Sequence, residues 1–386
     1  MNTKLLGSSL IISGTALGAG MLAIPMVLAQ FGLWYGTLLM IFICFGTTYA
    51  ALLLLEATVK AGGGLGLNSI ARKTLGKGGQ LISNGLLYAL LICLLMAYIL
   101  GAADLFGQMA SKLGIEITNT QSQIGFTLIS GLVIAAGTGI IDKLNRALFF
   151  VMIASLSATL IFLMPNFSAN NLARVINNDH LELIKTSAVL FTSFGFMVVI
   201  PSLVAYNHEA TDRQLRNMVI VGSLIPLVCY LCWLFAVVGN LNPTQLGELK
   251  GVGDLIAAFE LHSSWIGSLL AVFTGLALLT SFFGVAMSLY NQNRDMFNKN
   301  RVVTYILTFI LPLVGSLFAA DKFLAVLGYA GIILVLLAVF VPLAMVYKLR
   351  QSQSSESAER YTVEGGMPML VFSLLFGVFL LASQLV

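Results

Sequence analysis

A chain of 386 residues that is 58% hydrophobic and only 9% charged carries more apolar surface than a soluble core absorbs, since soluble domains hold about 25% charged residues. The composition therefore indicates a polytopic membrane protein and excludes an ordinary soluble enzyme. The net charge of +4 is spread without a dense basic cluster, so a nucleic-acid partner is not expected.

Apolar runs of spanning length fall at about 5–30, 32–59, 80–110, 122–141, 146–165, 186–206, 214–239, 263–291, 302–320, 323–347 and 366–385, which predicts eleven spans. Several exceed the ~20 residues that a bilayer requires, so tilt or broken segments are expected. The first run is too long for a signal peptide, has one early lysine and no small-residue cleavage site, and is read as a span. Four cysteines fall inside apolar runs; the Cys229-x-x-Cys232 pair is read as packing within a hydrophobic helix, not as a redox or metal site. The external loops 166–185 and 240–262 are long enough for short helices, and 64–76 reads as a cytoplasmic loop.

With the N-terminus inside, fifteen of the Lys and Arg residues are cytoplasmic: Lys4, Lys60, Arg72, Lys73, Lys77, Lys143, Arg146, Arg213, Arg216, Arg294, Lys299, Arg301, Lys348, Arg350 and Arg360. Lys112, Arg174, Lys185, Lys250 and Lys322 are external. This asymmetry orients the chain with the N-terminus in the cytoplasm and the C-terminus outside.

The first run contains GTALGAGMLAIP (14–25), where Gly14, Gly18, Gly20 and Pro25 weaken a helix in its middle. The sixth contains TSFGFMVVIPSLVA (192–205), again with glycine upstream of an Ile-Pro pair. The two runs are five spans apart, an odd number, so the second copy must run in the opposite direction. That is the pattern of a five-plus-five inverted repeat with discontinuous first members. The predicted organisation is a first repeat over 1–165, a second over 186–347, a polar cytoplasmic linker over 348–365 that includes QSQSSESAER (351–360), and an extra span over 366–386. In each broken run the glycines are read as unwinding the chain and the proline as restarting it. A half-helix N-terminus presents free N–H groups and a positive dipole end suited to a carboxylate, and half-helix carbonyl ends suit a cation. The competing reading of Gly14, Gly18 and Gly20 is close helix packing through small-residue spacing.

These two stretches, with ALLLLE (51–56), GLGLNSIARKTLG (64–76), LMAYILGAADL (95–105), LFTSFGF and IPSLVAY, resemble the hydroxy/aromatic amino acid permease family, which includes tyrosine-specific and tryptophan permeases. The likeness covers nearly the whole chain. It implies an all-α membrane protein of the LeuT type, within the amino acid/polyamine/organocation superfamily, that works as an ion-gradient-driven importer in the bacterial inner membrane. The family's pattern places His-Gly after the FGF of span 6, whereas Met197 and Val198 stand here. A titratable group is thereby missing, and both the coupling ion and the choice among aromatic substrates stay open.

The expected carboxylate cradle is the backbone of Gly18, Ala19, Gly20 and Met21. Phe194, Gly195, Phe196 and Met197 lie at the second break, where the rings either wall a side-chain pocket or simply pack. The resemblance adds Tyr98, mid-span 3, as a substrate contact. It also adds Ala277, Thr280 and Ser281 as a candidate cation site of one carbonyl and two hydroxyls; the bland alternative is hydroxyls bonded to their own helix. Glu56 and Asp104 are the carboxylates within or near spans, and either is a proton-linked candidate. An i,i+4 pair with Lys60 and simple exposure, respectively, are the alternatives. His208-Glu209 reads as a solvated loop pair at the cytoplasmic mouth.

The implied function is secondary active import of an aromatic L-amino acid, tyrosine first, coupled to protons by resemblance. Sodium coupling through spans 1 and 8, tryptophan or a broader neutral amino acid, and a channel or transporter-like receptor are the alternatives. No Walker A, H-E-x-x-H or G-x-S-x-G pattern occurs, so enzyme classes are not supported. No cofactor is expected beyond the coupling ion, H+ or Na+. The expected partners are the amino acid and the lipid bilayer, in a monomer or an oligomer of undetermined size.

Overall fold

At membrane depth no water pairs with the backbone, so each N–H and C=O must find a partner within its own segment or in surrounding protein. The computed structural model describes residues 3–135, 138–172, 174–249, 251–261, 263–297, 300–319, 322–351 and 361–385, and among these it contains helices and no strand. The first half runs through α1 (Thr3–Ala16), α2 (Ala19–Leu28), α3 (Gly32–Lys60), α4 (Leu67–Lys112), α5 (Asn119–Ala135) and α6 (Thr138–Leu163). The short helices α7 (Ala169–Leu172) and α8 (His180–Lys185) occupy the long loop that follows. The second half holds α9 (Ser187–Ser193), α10 (Ile200–Tyr206), α11 (Asp212–Asn240), the loop helices α12 (Pro243–Gly247) and α13 (Val252–Glu260), α14 (Ser264–Phe297) and α15 (Arg301–Phe318). A π-helical turn at Leu336–Phe340 joins α16 (Phe323–Val335) to α17 (Val341–Gln351), and α18 (Gly366–Ala382) follows.

Among the described residues, seven helical stretches are long and apolar enough to cross a membrane, and Ala147–Leu163 and Gly366–Ala382 are shorter apolar helices. The long loops over 166–185 and 240–262 both carry the expected short helices. The stretch read as a loop at 64–76 differs: it is helical from Leu67 and turns at Gly76, whose φ of 80° favours glycine, before continuing as α4. Residues 352–360 of the polar linker lie outside the described residues, as do Lys250 and Lys299 among the orienting charges.

Hydroxyls bind the helices together where lipid supplies no hydrophobic drive. Ser9 and Ser13 on α1 donate to the Met218 and Gly222 carbonyls of α11 at 3.0 and 2.9 Å. Gly222 permits this approach: a Cβ there would lie 2.7 Å from Ile12. Thr48 of α3 donates to Ser223 of α11 at 2.9 Å. On the other side α14 packs along α6 and α4, and α16 lies between α4 and α9. Trp34, Leu38, Ile41 and Phe45 leave an exposed apolar stripe on α3, as lipid contact requires.

At the C-terminal end of α3 the fully buried Glu56 carboxylate accepts from Lys60 at 2.9 Å, from Arg350 of α17 at 2.9 and 2.7 Å, and from the Val363 N–H at 2.9 Å. Arg216 of α11 pairs with Glu364 at 2.5 Å. Residues 361–364 thus strap the ends of α3, α11 and α17 together. The hydrogen bond to Glu56 holds the Arg350 guanidinium above its ordinary pKa, and burial pushes the Tyr361 phenol up.

Candidate functional site

Both helix breaks expected from sequence are present. α1 ends at Ala16, and α2 begins at Ala19 with Gly18 as its extended N-cap (φ −148°, ψ −151°). Any residue adopts that conformation, so the need for glycine at 18 is one of space: a Cβ would collide with the Ser281 hydroxyl of α14. The Ala19 N–H donates to Ser281 Oγ at 3.1 Å, and the Tyr98 hydroxyl of α4 lies beside the same serine. One short stretch of backbone therefore meets α4 and α14 at a single hydroxyl.

The second break separates α9 from α10 and leaves Phe194–Phe196 outside the α-helices. Pro201 is the second residue of α10, where its missing N–H costs nothing, and there it restarts the helix as expected. Pro25 acts otherwise. It lies well inside α2 and withholds the N–H that would meet the Met21 carbonyl, so the restart at Ala19 belongs to Gly18.

The two breaks touch. A Cβ on Gly20 would sit 2.9 Å from the Ser193 Cα, and Ser193 Oγ donates to the Gly20 carbonyl at 2.8 Å. The Tyr230 hydroxyl of α11 lies 2.7 Å from the Ala16 carbonyl and 2.6 Å from the Ser193 carbonyl, the last carbonyls of α1 and α9. A phenol has one proton for two acceptors. Tyr230 thus caps the end of α9 and adds a second partner at the end of α1, where the Ala16 carbonyl also accepts from the Gly18 N–H at 2.8 Å. Gly14 also packs closely, with a Cβ position 3.0 Å from the Phe149 ring. All three glycines are thus accounted for by close approach: Gly14 lies within α1, Gly20 within α2, and only Gly18 stands at the break.

Phe194, Phe196 and Met197 are fully buried, and the Phe194 ring stands edge-on to Tyr230 at 5.0 Å. Gly20, Gly195 and Ser281 keep partial accessibility beside buried Ala19, Met21 and Tyr98. The reachable surface at the breaks is thus backbone and hydroxyl, with the start of α2, whose Ala19 N–H already meets Ser281, on one side and the Tyr230-capped carbonyl ends on the other. Such a surface suits both ends of a zwitterion.

In the candidate cation group, Ala277 is buried and Thr280 donates within its own helix, to Leu276 at 2.8 Å. Ser281 is engaged by Ala19 and Tyr98. Glu56 belongs to the cluster at the end of α3, and Asp104 lines a separate cavity beside Gly251. His208 and Glu209 are exposed, 3.7 Å apart. Among the described residues no three His, Cys, Asp or Glu converge as a metal set, and Cys229 and Cys232 are free thiols. The structure gathers residues 18–21, Tyr98, Ser281 and 193–197, and leaves Glu56 and Asp104 apart. Sequence reasoning missed Ser193 and Tyr230. Ser193 stands directly before the Phe194-Gly195-Phe196 break and was findable there; Tyr230 carries no local signal.

Residues 1–384 match the family described as the tryptophan/tyrosine permease family. Glutamine transporter 2 of Aliivibrio fischeri is 58% identical over the full length of both chains. Tyrosine-specific transport system 1 of Haemophilus influenzae is 34% identical, covering 97% of this chain and 95% of the relative. The tryptophan-specific transport protein of Pseudomonas aeruginosa is 31% identical, covering 97% and 93%.

Proposed function

The chain belongs to the tryptophan/tyrosine permease family, and from that premise we propose that it is an ion-coupled importer of a neutral L-amino acid, glutamine in the first instance. The observation that carries this is the junction of the two breaks, where the start of α2, Ser193, Ser281 and Tyr98 supply backbone and hydroxyl groups fit for an amino acid head group. Glutamine is favoured by the 58% relative and by the burial of Phe194 and Phe196 in packing, which leaves the accessible wall polar. Tyrosine is the second reading, favoured by the tyrosine-specific relative.

The arrangement is read as eleven spans in a five-plus-five inverted repeat of the LeuT type, over 1–165 and 186–347, with α18 as the extra span. The N-terminus lies in the cytoplasm and the C-terminus outside, in a bacterial inner membrane. Import then proceeds by alternating access around the breaks. The coupling ion is H+ or Na+, and the hydroxyls of Thr280 and Ser281 are the candidate sodium ligands.

Uptake of labelled glutamine, tyrosine and tryptophan into proteoliposomes, driven separately by a proton gradient and a sodium gradient, tests this reading. Accumulation of glutamine above the other two under one gradient is expected. Tyrosine accumulating first exchanges the two substrate readings, and accumulation of none overturns the importer. If sodium drives uptake, Thr280→Ala with Ser281→Ala removes that dependence; unchanged dependence moves the ion elsewhere.

A further inference from the structure

A groove of about 300 Å³ lies between the start of α4 and the joint of α16 with α17. Leu75, Ile82 and Leu86 belong to one wall, and Phe340 and Ala344 to the other. Every lining residue is apolar or glycine. Gly79 lines it without a side chain: a Cβ there would lie 2.2 Å from that of Leu75, across the turn at Gly76. The facing wall includes the π-helical turn at 336–340, where the regular α-helical bonding gives way. Ile82 and Ala344 are exposed, and the neighbouring Leu81 is exposed as well, so the groove opens sideways onto apolar surface. In a bilayer such a surface meets acyl chains.

One end of the groove is cationic. Lys77 stands in sequence between the lining residues Leu75 and Gly79. Lys348 follows Ala344 by four residues, about 6 Å along α17. Arg72 precedes Leu75 by three. All three are exposed. Neighbouring cations are already taken: Lys73 donates to the Ala61 carbonyl at 2.6 Å, and Lys60 and Arg350 hold Glu56. Among the described residues, Arg72, Lys77 and Lys348 form no ion pair. The stretch before Gly76 buries Ile70, Ala71 and Thr74 and exposes Ser69 and Arg72, the two-faced pattern of a segment lying along a membrane surface.

We propose that this groove binds one anionic phospholipid, with an acyl chain between α4 and the π-helical turn and the phosphate among Lys77, Lys348 and Arg72. The proposal goes beyond the transport reading and does not depend on which amino acid is carried. A neutral lipid would satisfy the apolar walls and leave the three cations uncompensated. A phosphate satisfies them with charge-assisted hydrogen bonds, which are about twice as strong as neutral ones. Basic pockets between membrane helices select anionic head groups for this reason. The volume stands at the lower end of the range of about 300–1,000 Å³ for small-molecule sites, which suits one chain and not a whole lipid.

The test is native mass spectrometry of the purified full chain in detergent, titrated with dioleoyl phosphatidylglycerol and, separately, with dioleoyl phosphatidylcholine. The wild type is expected to retain one phosphatidylglycerol per chain, at a concentration about thirtyfold below that needed for phosphatidylcholine, the contribution of two lysines at a membrane surface. Lys77→Gln with Lys348→Gln is expected to erase that preference. Ala344→Phe fills the groove and is expected to lose the retained phosphatidylglycerol. Lys77 and Lys348 are exposed, so the charge variant carries the test by itself if Ala344→Phe does not fold. Equal retention of the two lipids by the wild type overturns the proposal. Undiminished phosphatidylglycerol retention in the charge variant overturns it as well, because the lipid then sits elsewhere. Displacement of the lipid by excess glycerol phosphate would show a site for free phosphate and no role for the groove.

Discussion

Tyr230 is the residue on which the two helix breaks depend. Its phenol reaches two carbonyls that terminate different helices, and its ring stands edge-on to Phe194. Tyr230→Phe keeps the ring and removes the cap. Stability is expected to fall by about 1–3 kcal/mol, read as a lower melting temperature in detergent, and initial uptake is expected to fall about tenfold, the same energy expressed as a rate. An unchanged melting temperature and rate would show that water caps both ends equally well. Gly20 depends on space in the same way. A leucine side chain there meets the Ser193 backbone, so Gly20→Leu is expected to abolish uptake while the purified chain elutes unchanged on size exclusion. Wild-type uptake would refute the cradle at residues 18–21.

Helix ends carry the next level of argument. α3, α11 and α17 converge at the strap formed by residues 361–364, where Glu56 has four hydrogen bonds and no exposed surface. Removing one partner of a buried ion pair leaves the other uncompensated, at a cost of roughly 3–5 kcal/mol. Glu56→Gln is therefore expected to lower the melting temperature more than Tyr230→Phe does. Lys60→Met is expected to cost less, because Arg350 and the Val363 N–H still satisfy the carboxylate. A melting temperature for Glu56→Gln equal to wild type would mean that the strap contributes nothing to the fold. The i,i+4 reading of Glu56 with Lys60 was legible in sequence. The contact with Arg350, 294 positions away, was not.

Across the whole molecule, the distribution of Lys and Arg makes a topological statement that cysteine labelling can check. A single cysteine placed in 351–360 is expected to react with a membrane-impermeant maleimide only in permeabilised cells, and one after Val386 is expected to react in intact cells. The reverse pattern would overturn the orientation. Helix positions followed closely from hydropathy because an apolar run of bilayer length has few alternatives to a helix. The helix at Leu67 escaped that argument: its polar residues read as a loop, and only the turn at Gly76 ties it to α4.

By itself the sequence determined that this chain enters a membrane, where its helices run, and that two of them break, since glycine and proline act on their own backbone. Even there the roles of the prolines differed: Pro201 starts a helix, whereas Pro25 rides inside one. Only the tertiary structure decided what the breaks face. Ser281 and Tyr98 meet Ala19 from helices far along the chain, and Tyr230 reaches both breaks at once. Nothing in a local stretch encodes such meetings. They arise from how α4, α11 and α14 pack, and packing is a property of pairs of surfaces, not of either surface alone.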